Sequence, residues 1–249
     1  MNKRPFVLLR GLVREAAHWG PFADDLRRAF PGSVVYTPDI LGNGVHYQDK
    51  SPTTVRGMVD ALRAELGLST PVRLFAVSLG GMVATEWATA YPDEVERMVL
   101  ANSSLRGLSP FWSRLRPAVY PKLFASALEA ELLARERTIL SVVSNRSEVH
   151  AEVAEEWTEI QAARPVSRAN LFRQVLAGAR YRAPSTPPRV PTLVMLGDGD
   201  RLVSPSCSRA IARAFSAELA VHPTSGHDIT LDAGPWVVEQ LLAWMGPQA

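Results

Sequence analysis

One cysteine, Cys207, in 249 residues leaves no intramolecular disulfide and no cysteine-based metal cluster within the chain. That usage fits a reducing compartment, and a cytoplasmic location is the expectation. Neither sign of charge is in excess. The 27 Lys and Arg stand against 25 Asp and Glu without a dense basic run, so no nucleic-acid partner is expected. Long apolar runs are missing too. The segment after Met1-Asn2-Lys3-Arg4 is broken by Arg10 and is too short for a secretion signal, and no later stretch reaches the length of a membrane span. No membrane partner is therefore expected. The histidines are separated, the carboxylates do not cluster, and there is neither a G-x-G-x-x-G nor a phosphate-loop pattern, so no metal and no cofactor are expected.

What is present is a half-apolar chain long enough for one substantial core. Short β-like runs at 6–9, 34–36, 72–77, 95–101, 191–196 and 218–222 alternate with helical spacings, among them Trp19, Phe22 and Leu26, then Val55, Val59, Leu62 and Leu66. Such alternation predicts an α/β fold with a mostly parallel sheet of about six strands and helices on both faces. The rhythm breaks between Ser103 and Pro188. That stretch holds no convincing strand, but it has helix-like segments at 117–128, 129–143, 147–163 and 167–179. The expected organisation is a core of residues 1–102 and 189–249 carrying a helical insertion over 103–188. Two more helices are expected at 206–215 and 235–245, and no internal repeat is visible.

Chemistry is most visible at Ala76-Val77-Ser78-Leu79-Gly80-Gly81. A serine between a predicted strand and a predicted helix, flanked by small residues, sits on a turn tight enough to project its hydroxyl from the sheet edge. The helix start that follows aims unpaired N–H groups at developing negative charge, with the Leu79 N–H as one oxyanion donor. A base is offered by His227 in Ser225-Gly226-His227-Asp228, a loop after a short strand and before a helix. His18 and His46 read as loop residues, His150 belongs to the insertion and His222 ends a strand, all four more in keeping with structural or solvated roles. The orienting carboxylate is expected beyond the strand at 191–196. Asp200 is preferred, because Gly197-Asp198-Gly199 lets the chain turn first, with Asp198 as the competitor.

Together these residues resemble the α/β-hydrolase superfamily, over essentially the whole chain and in its Ser, acid, His order. The elbow is similar to G-x-S-x-G with Ala76 at the first glycine, and Gly197 through Asp200 resembles the family's G-x-x-D segment. The resemblance implies a serine hydrolase of the lid-bearing, carboxylesterase-like branch, with Ser78 as nucleophile, His227 as base and Asp200 as orienting acid. It also implies a second oxyanion donor at the Leu12 N–H. There Arg10-Gly11-Leu12 stands where the family has His-Gly. Arg10 either tethers this loop or brings positive charge to the site.

The insertion takes the place of the family's lid, with Phe111, Trp112, Tyr120, Phe124, Trp157, Phe172 and Tyr181 as candidate wall residues; Phe111, Trp112 and Trp157 are the expected substrate contacts among them. Ester hydrolysis on a small or medium acyl substrate is the leading expectation. The same apparatus would serve a thioesterase, amidase, lactonase, carbon–carbon bond hydrolase or perhydrolase-like enzyme, and a non-catalytic ligand-binding protein is the alternative of a different class. Resemblance to biosynthetic methyl-ester hydrolases adds an acyl-carrier or other anionic partner, with Arg10, Arg14 or insertion arginines as phosphate contacts. The oligomeric state is left open.

Overall fold

The mostly apolar segments at 6–9, 72–77, 95–101 and 192–197 are buried apart from the half-buried Arg73, Glu96 and Arg97, as strands covered on both faces must be. The computed structural model describes residues 4–246. Its sheet comprises β1 (Phe6–Leu9), β2 (Val35–Tyr36), β3 (Val72–Val77), β4 (Val95–Ala101), β5 (Thr192–Gly197) and β6 (Glu218–His222). The spatial order is β2-β1-β3-β4-β5-β6, and every pairing is parallel. The register sets Leu9 opposite Ala76, Val77 opposite Ala101 and Gly197 opposite His222. The loops that follow β1, β3 and β5 therefore leave the sheet at the same carboxyl edge.

The helices are α1 (Phe22–Ala29), α2 (Val55–Leu66), α3 (Leu79–Ala90), α4 (Phe111–Arg114), α5 (Tyr120–Leu128), α6 (Leu132–Val143), α7 (His150–Ala163), α8 (Arg168–Arg180), α9 (Pro205–Phe215) and α10 (Ile229–Met245). Helices α2, α3 and α9 bury Val59, Val83 and Ile211 against one sheet face. On the other face, Phe22 and Leu26 of α1 meet Val237 and Leu241 of α10, together with Trp19 from a short turn before α1. Between Ala101 and Thr192 the chain builds only helices and loops, apart from isolated bridges at Arg106. Within this insertion, α6 and α7 form a small core of their own around Leu140, Val153, Ala154 and Trp157.

Several boundaries differ from the expectation. The segment at 129–143 becomes a helix only from Leu132, because the Glu131 carboxylate accepts the Ala134 N–H and caps it there. The stretch at 117–128 divides into a short turn, Pro117–Val119, and α5. The last helix starts at Ile229 rather than Pro235 and is broken at Ala233 (φ −145°), where Pro235 supplies no N–H to the turn before it. No helix among the described residues is long and apolar enough to cross a membrane.

Candidate active site

The chain runs from β1 out to the edge strand β2 and returns on the other side of β1 as β3, so the crevice between β1 and β3 lies where ligands bind in open parallel sheets. Ser78 stands at the carboxyl end of β3 and the start of α3, with φ 58° and ψ −118°, a conformation a serine rarely adopts. Packing enforces it. A Cβ on Gly80 would lie 2.3 Å from the Leu9 carbonyl oxygen, so α3 can approach β1 only with glycine there. A Cβ on Gly11 would meet the Ser78 Cβ at 3.2 Å, which puts the loop after β1 directly against the elbow. Ala76 stands in for the first glycine of the motif with its methyl in the core.

Asp200 and His227 meet beside it. The Nδ1 of His227 lies 2.7 Å from Asp200 Oδ2, with both side chains buried. Asp200 Oδ1 accepts the N–H groups of Leu202 at 2.8 Å and Val203 at 2.9 Å, which holds the carboxylate in one orientation. Burial opposes the charged imidazole, but the charge and hydrogen bond of Asp200 outweigh it and hold the His227 pKa above the ordinary histidine value. Asp198 points elsewhere and pairs with Arg209 at 2.8 Å near the surface. Ser78 and His227 both line a cavity of about 400 Å³ between the sheet edge and the insertion.

Arg10 is a tether. Its Nη2 contacts Asp228 Oδ2 at 2.6 Å, its Nη1 lies 3.4 Å from Thr230 Oγ1, and its guanidinium sits 4.6 Å over the Trp19 ring. Burial would favour a neutral Asp228, yet the Arg10 charge prevails and keeps its pKa below the usual carboxylate value. Arg14 likewise holds Glu136 of α6 at 2.9 Å and lies 4.0 Å over the Trp157 ring. Burial lowers the Arg14 pKa from the ordinary arginine value, with Glu136 opposing. Both arginines line the cavity, but each is already neutralised by a buried carboxylate. Arg164 of the insertion is committed in the same way to Glu15.

Trp157 and Leu12 also line the cavity; Phe111 and Trp112 do not. These two aromatics stand 69% and 55% exposed, packed edge to face on each other, because α4 is a single turn on the outer surface. Tyr120, Phe124 and Phe172 are exposed as well, and Tyr181 packs against the core beneath the insertion. His18 is not a loop residue. It is buried in a short turn between Arg14 and Trp157, and burial, reinforced by Arg14, pushes its pKa well below the ordinary value.

Sequence reasoning missed Asn102. Its side-chain amide donates to the carbonyls of Gly226 at 3.0 Å and His227 at 2.8 Å, while its carbonyl oxygen accepts the Gly197 N–H at 2.9 Å. One residue at the end of β4 thus binds β5 to the loop that carries His227. Gln174 of α8 was missed too; it accepts the N–H of Val13, a β-branched residue held at φ 52° next to Leu12. Neither carries a motif, and only a strand-end asparagine hinted at the first.

A second Ser, His, Asp set is triad-like in composition. Ser144 Oγ donates to Asp232 Oδ1 at 2.6 Å and lies 3.0 Å from His150 Nε2. Here the hydroxyl stands between base and acid, its proton already committed to Asp232, and none of the three lines the cavity. Asp232 also accepts the N–H groups of Asn145 and Gly226, so the set ties the insertion to the base loop.

A family model described as the alpha/beta hydrolase fold matches residues 4–233. The chain belongs to this family. Among solved structures, an esterase from Thermogutta terrifontis is 23% identical, with a TM-score of 0.75 over 98% of this chain and 90% of that one. The enol-lactonase from Burkholderia xenovorans LB400 is 19% identical, with a TM-score of 0.77 over 98% and 92%. A hydrolase from Pseudomonas aeruginosa PA01 is 21% identical, with a TM-score of 0.77 over 98% and 91%. At these identities the likeness to solved structures is one of fold. No curated protein matches the sequence. Among the described residues of this α/β hydrolase, no group of three or more His, Cys, Asp or Glu is placed to hold a metal.

Proposed function

We propose that this protein is a serine hydrolase of the lid-bearing, carboxylesterase-like branch, cleaving carboxylic esters through an acyl-enzyme on Ser78. The observation that carries the reading is the buried 2.7 Å contact of His227 with Asp200, opening onto the same cavity as a serine held at φ 58°. The Ser78 hydroxyl attacks the ester carbonyl carbon as His227 Nε2 takes its proton. The tetrahedral oxyanion is held by the N–H groups of Leu12 and Leu79; Leu79 is the first residue of α3, where N–H groups have no intrahelical acceptor. Collapse expels the alcohol with the proton from His227. Water, deprotonated by the same imidazole, then attacks the acyl carbonyl and releases the acid, which restores Ser78. Asp200 fixes the tautomer that leaves Nε2 free and stabilises the imidazolium.

Residues 103–188 act as the lid, keeping water from the acyl-enzyme and shaping the acyl pocket with Trp157 and Leu123. The pairing of Arg10 and Arg14 with buried carboxylates suits a small, uncharged acyl substrate, while Arg168 lines the same cavity without an ion pair among the described residues. A cytoplasmic setting suits the buried, unpaired Cys207.

Initial rates across p-nitrophenyl esters of increasing acyl length, with Ser78→Ala in parallel, test the proposal. Turnover that vanishes in the variant supports it. Turnover that persists in Ser78→Ala overturns the assignment of the nucleophile, and the absence of any serine-dependent turnover favours a binding role for the same cavity.

A further inference from the structure

We propose that the insertion side of the cavity is a specificity subsite for an uncharged oxygen on the acyl part of the substrate, an oxo or hydroxyl group, recognised by the side-chain amide of Gln161. The inference rests on the hydrolase reading above and adds a substrate class to it. Gln161 lies on α7, lines the cavity and is only 5% exposed, yet its amide makes no hydrogen bond with any described residue. The amide is thus a donor and acceptor reachable from the cavity, where a substrate group can pair with it; on the same wall Arg10 Nε and Arg14 Nη2 are buried without a partner. Trp157 stands four residues earlier on the same helix face and also lines the cavity. Its ring is gripped by Arg14 at 4.0 Å and His18 at 5.4 Å, so the wall beside Gln161 is rigid.

The two buried arginines already face carboxylates, whereas the exposed Arg168 lines the cavity without an ion pair among the described residues. A substrate carboxylate drawn to Arg14 or Arg10 would come to lie near the like charge of Glu136 or Asp228. Arg135, half-buried and 3.8 Å from Glu136, serves the same ion pair. A plain alkyl chain would cover the Gln161 amide and leave it unpaired. An amide both donates and accepts, so it satisfies an oxo oxygen through its N–H and a hydroxyl through either group. Ile139, Val143 and Leu171 on the walls favour hydrocarbon between that oxygen and the ester.

The test compares p-nitrophenyl esters of matched length: alkyl chains, the same chains with one oxo group at successive positions, and a monoester ending in a free carboxylate. Wild type is expected to favour at least one oxo ester over its alkyl partner by about tenfold or more in kcat/KM. In Gln161→Leu that preference is expected to collapse, the oxo-ester rate falling and the alkyl rate rising, since the alkyl chain no longer covers an unpaired amide. No preference in wild type, a preference that survives in Gln161→Leu, or a stronger preference for the carboxylate ester each overturns the subsite. If no ester shows Ser78-dependent turnover, the hydrolase reading fails on its own, and the subsite is read from binding instead. Methyl oxoalkanoates and methyl alkanoates are titrated by NMR into Ser78→Ala with and without Gln161→Leu. Tighter oxo-ester binding that Gln161→Leu removes upholds the subsite, and equal binding overturns it.

Discussion

Arg10 and Asp228 close a buried ion pair at 2.6 Å, and Asp228 directly follows His227 in the chain. The cation at the end of β1 therefore anchors the loop that carries the proposed base. Removing either partner alone strands a buried charge. Arg10→Met and Asp228→Asn are each expected to destabilise the fold by about 3–5 kcal/mol in denaturant unfolding, and the double replacement by less than the sum. Because the folded pKa of Asp228 is depressed, its contribution is present above the ordinary carboxylate range and is lost as pH falls through the folded value.

Ser78 pays for its position in backbone strain. Ser78→Ala and Ser78→Gly are both expected to abolish turnover, but the glycine variant relaxes φ 58° and should be the more stable by about 1 kcal/mol. Thermal unfolding of the two variants side by side decides it.

Replacing Asp200 by Asn leaves a group of the same size that no longer stabilises the imidazolium. A fall in kcat of about 10⁴-fold is expected, whereas Asp198→Asn, which removes only the contact with Arg209, should leave the rate essentially unchanged. Comparable losses in both variants would reverse the choice of acid.

In the proposed mechanism the neutral imidazole is the base, and the His227 pKa is raised above the ordinary histidine value. The acidic limb of kcat/KM should accordingly lie above the ordinary histidine value, with rate lost as pH falls through it. Asp200→Asn should move that limb downward. In stability the sign is opposite: the His227 contribution is full below the unfolded pKa and is lost as pH rises through the raised folded one.

Asn102→Leu removes three hydrogen bonds that bind β5 to the base loop. A loss of about 1–3 kcal/mol in stability is expected, together with a fall in kcat larger than any change in KM and a downward shift of the acidic limb. A change in stability alone would limit Asn102 to the fold.

Strand positions were legible because a sheet covered on both faces requires mostly apolar runs, and β1, β3, β4 and β5 have them, interrupted only by Arg73 in β3, by Glu96 and Arg97 in β4, and by Thr192 at the start of β5. The elbow was legible because Gly80 answers a local steric demand that leaves a local trace. The insertion was legible only as helices. Its aromatics do not announce which face they occupy, so Phe111 and Trp112 read as pocket walls and proved to be surface, while Trp157 reached the cavity.

By itself the sequence determined the sheet, the turn at Ser78 and the order of serine, acid and histidine, since each depends on residues close together in the chain. Only the tertiary structure decided that Asp200 rather than Asp198 meets His227, that Arg10 and Arg14 are neutralised by Asp228 and Glu136, and that Asn102 joins the two loops. These partners lie 27 to 218 residues apart, and which ion finds which counter-ion is settled by packing and desolvation rather than by any local pattern.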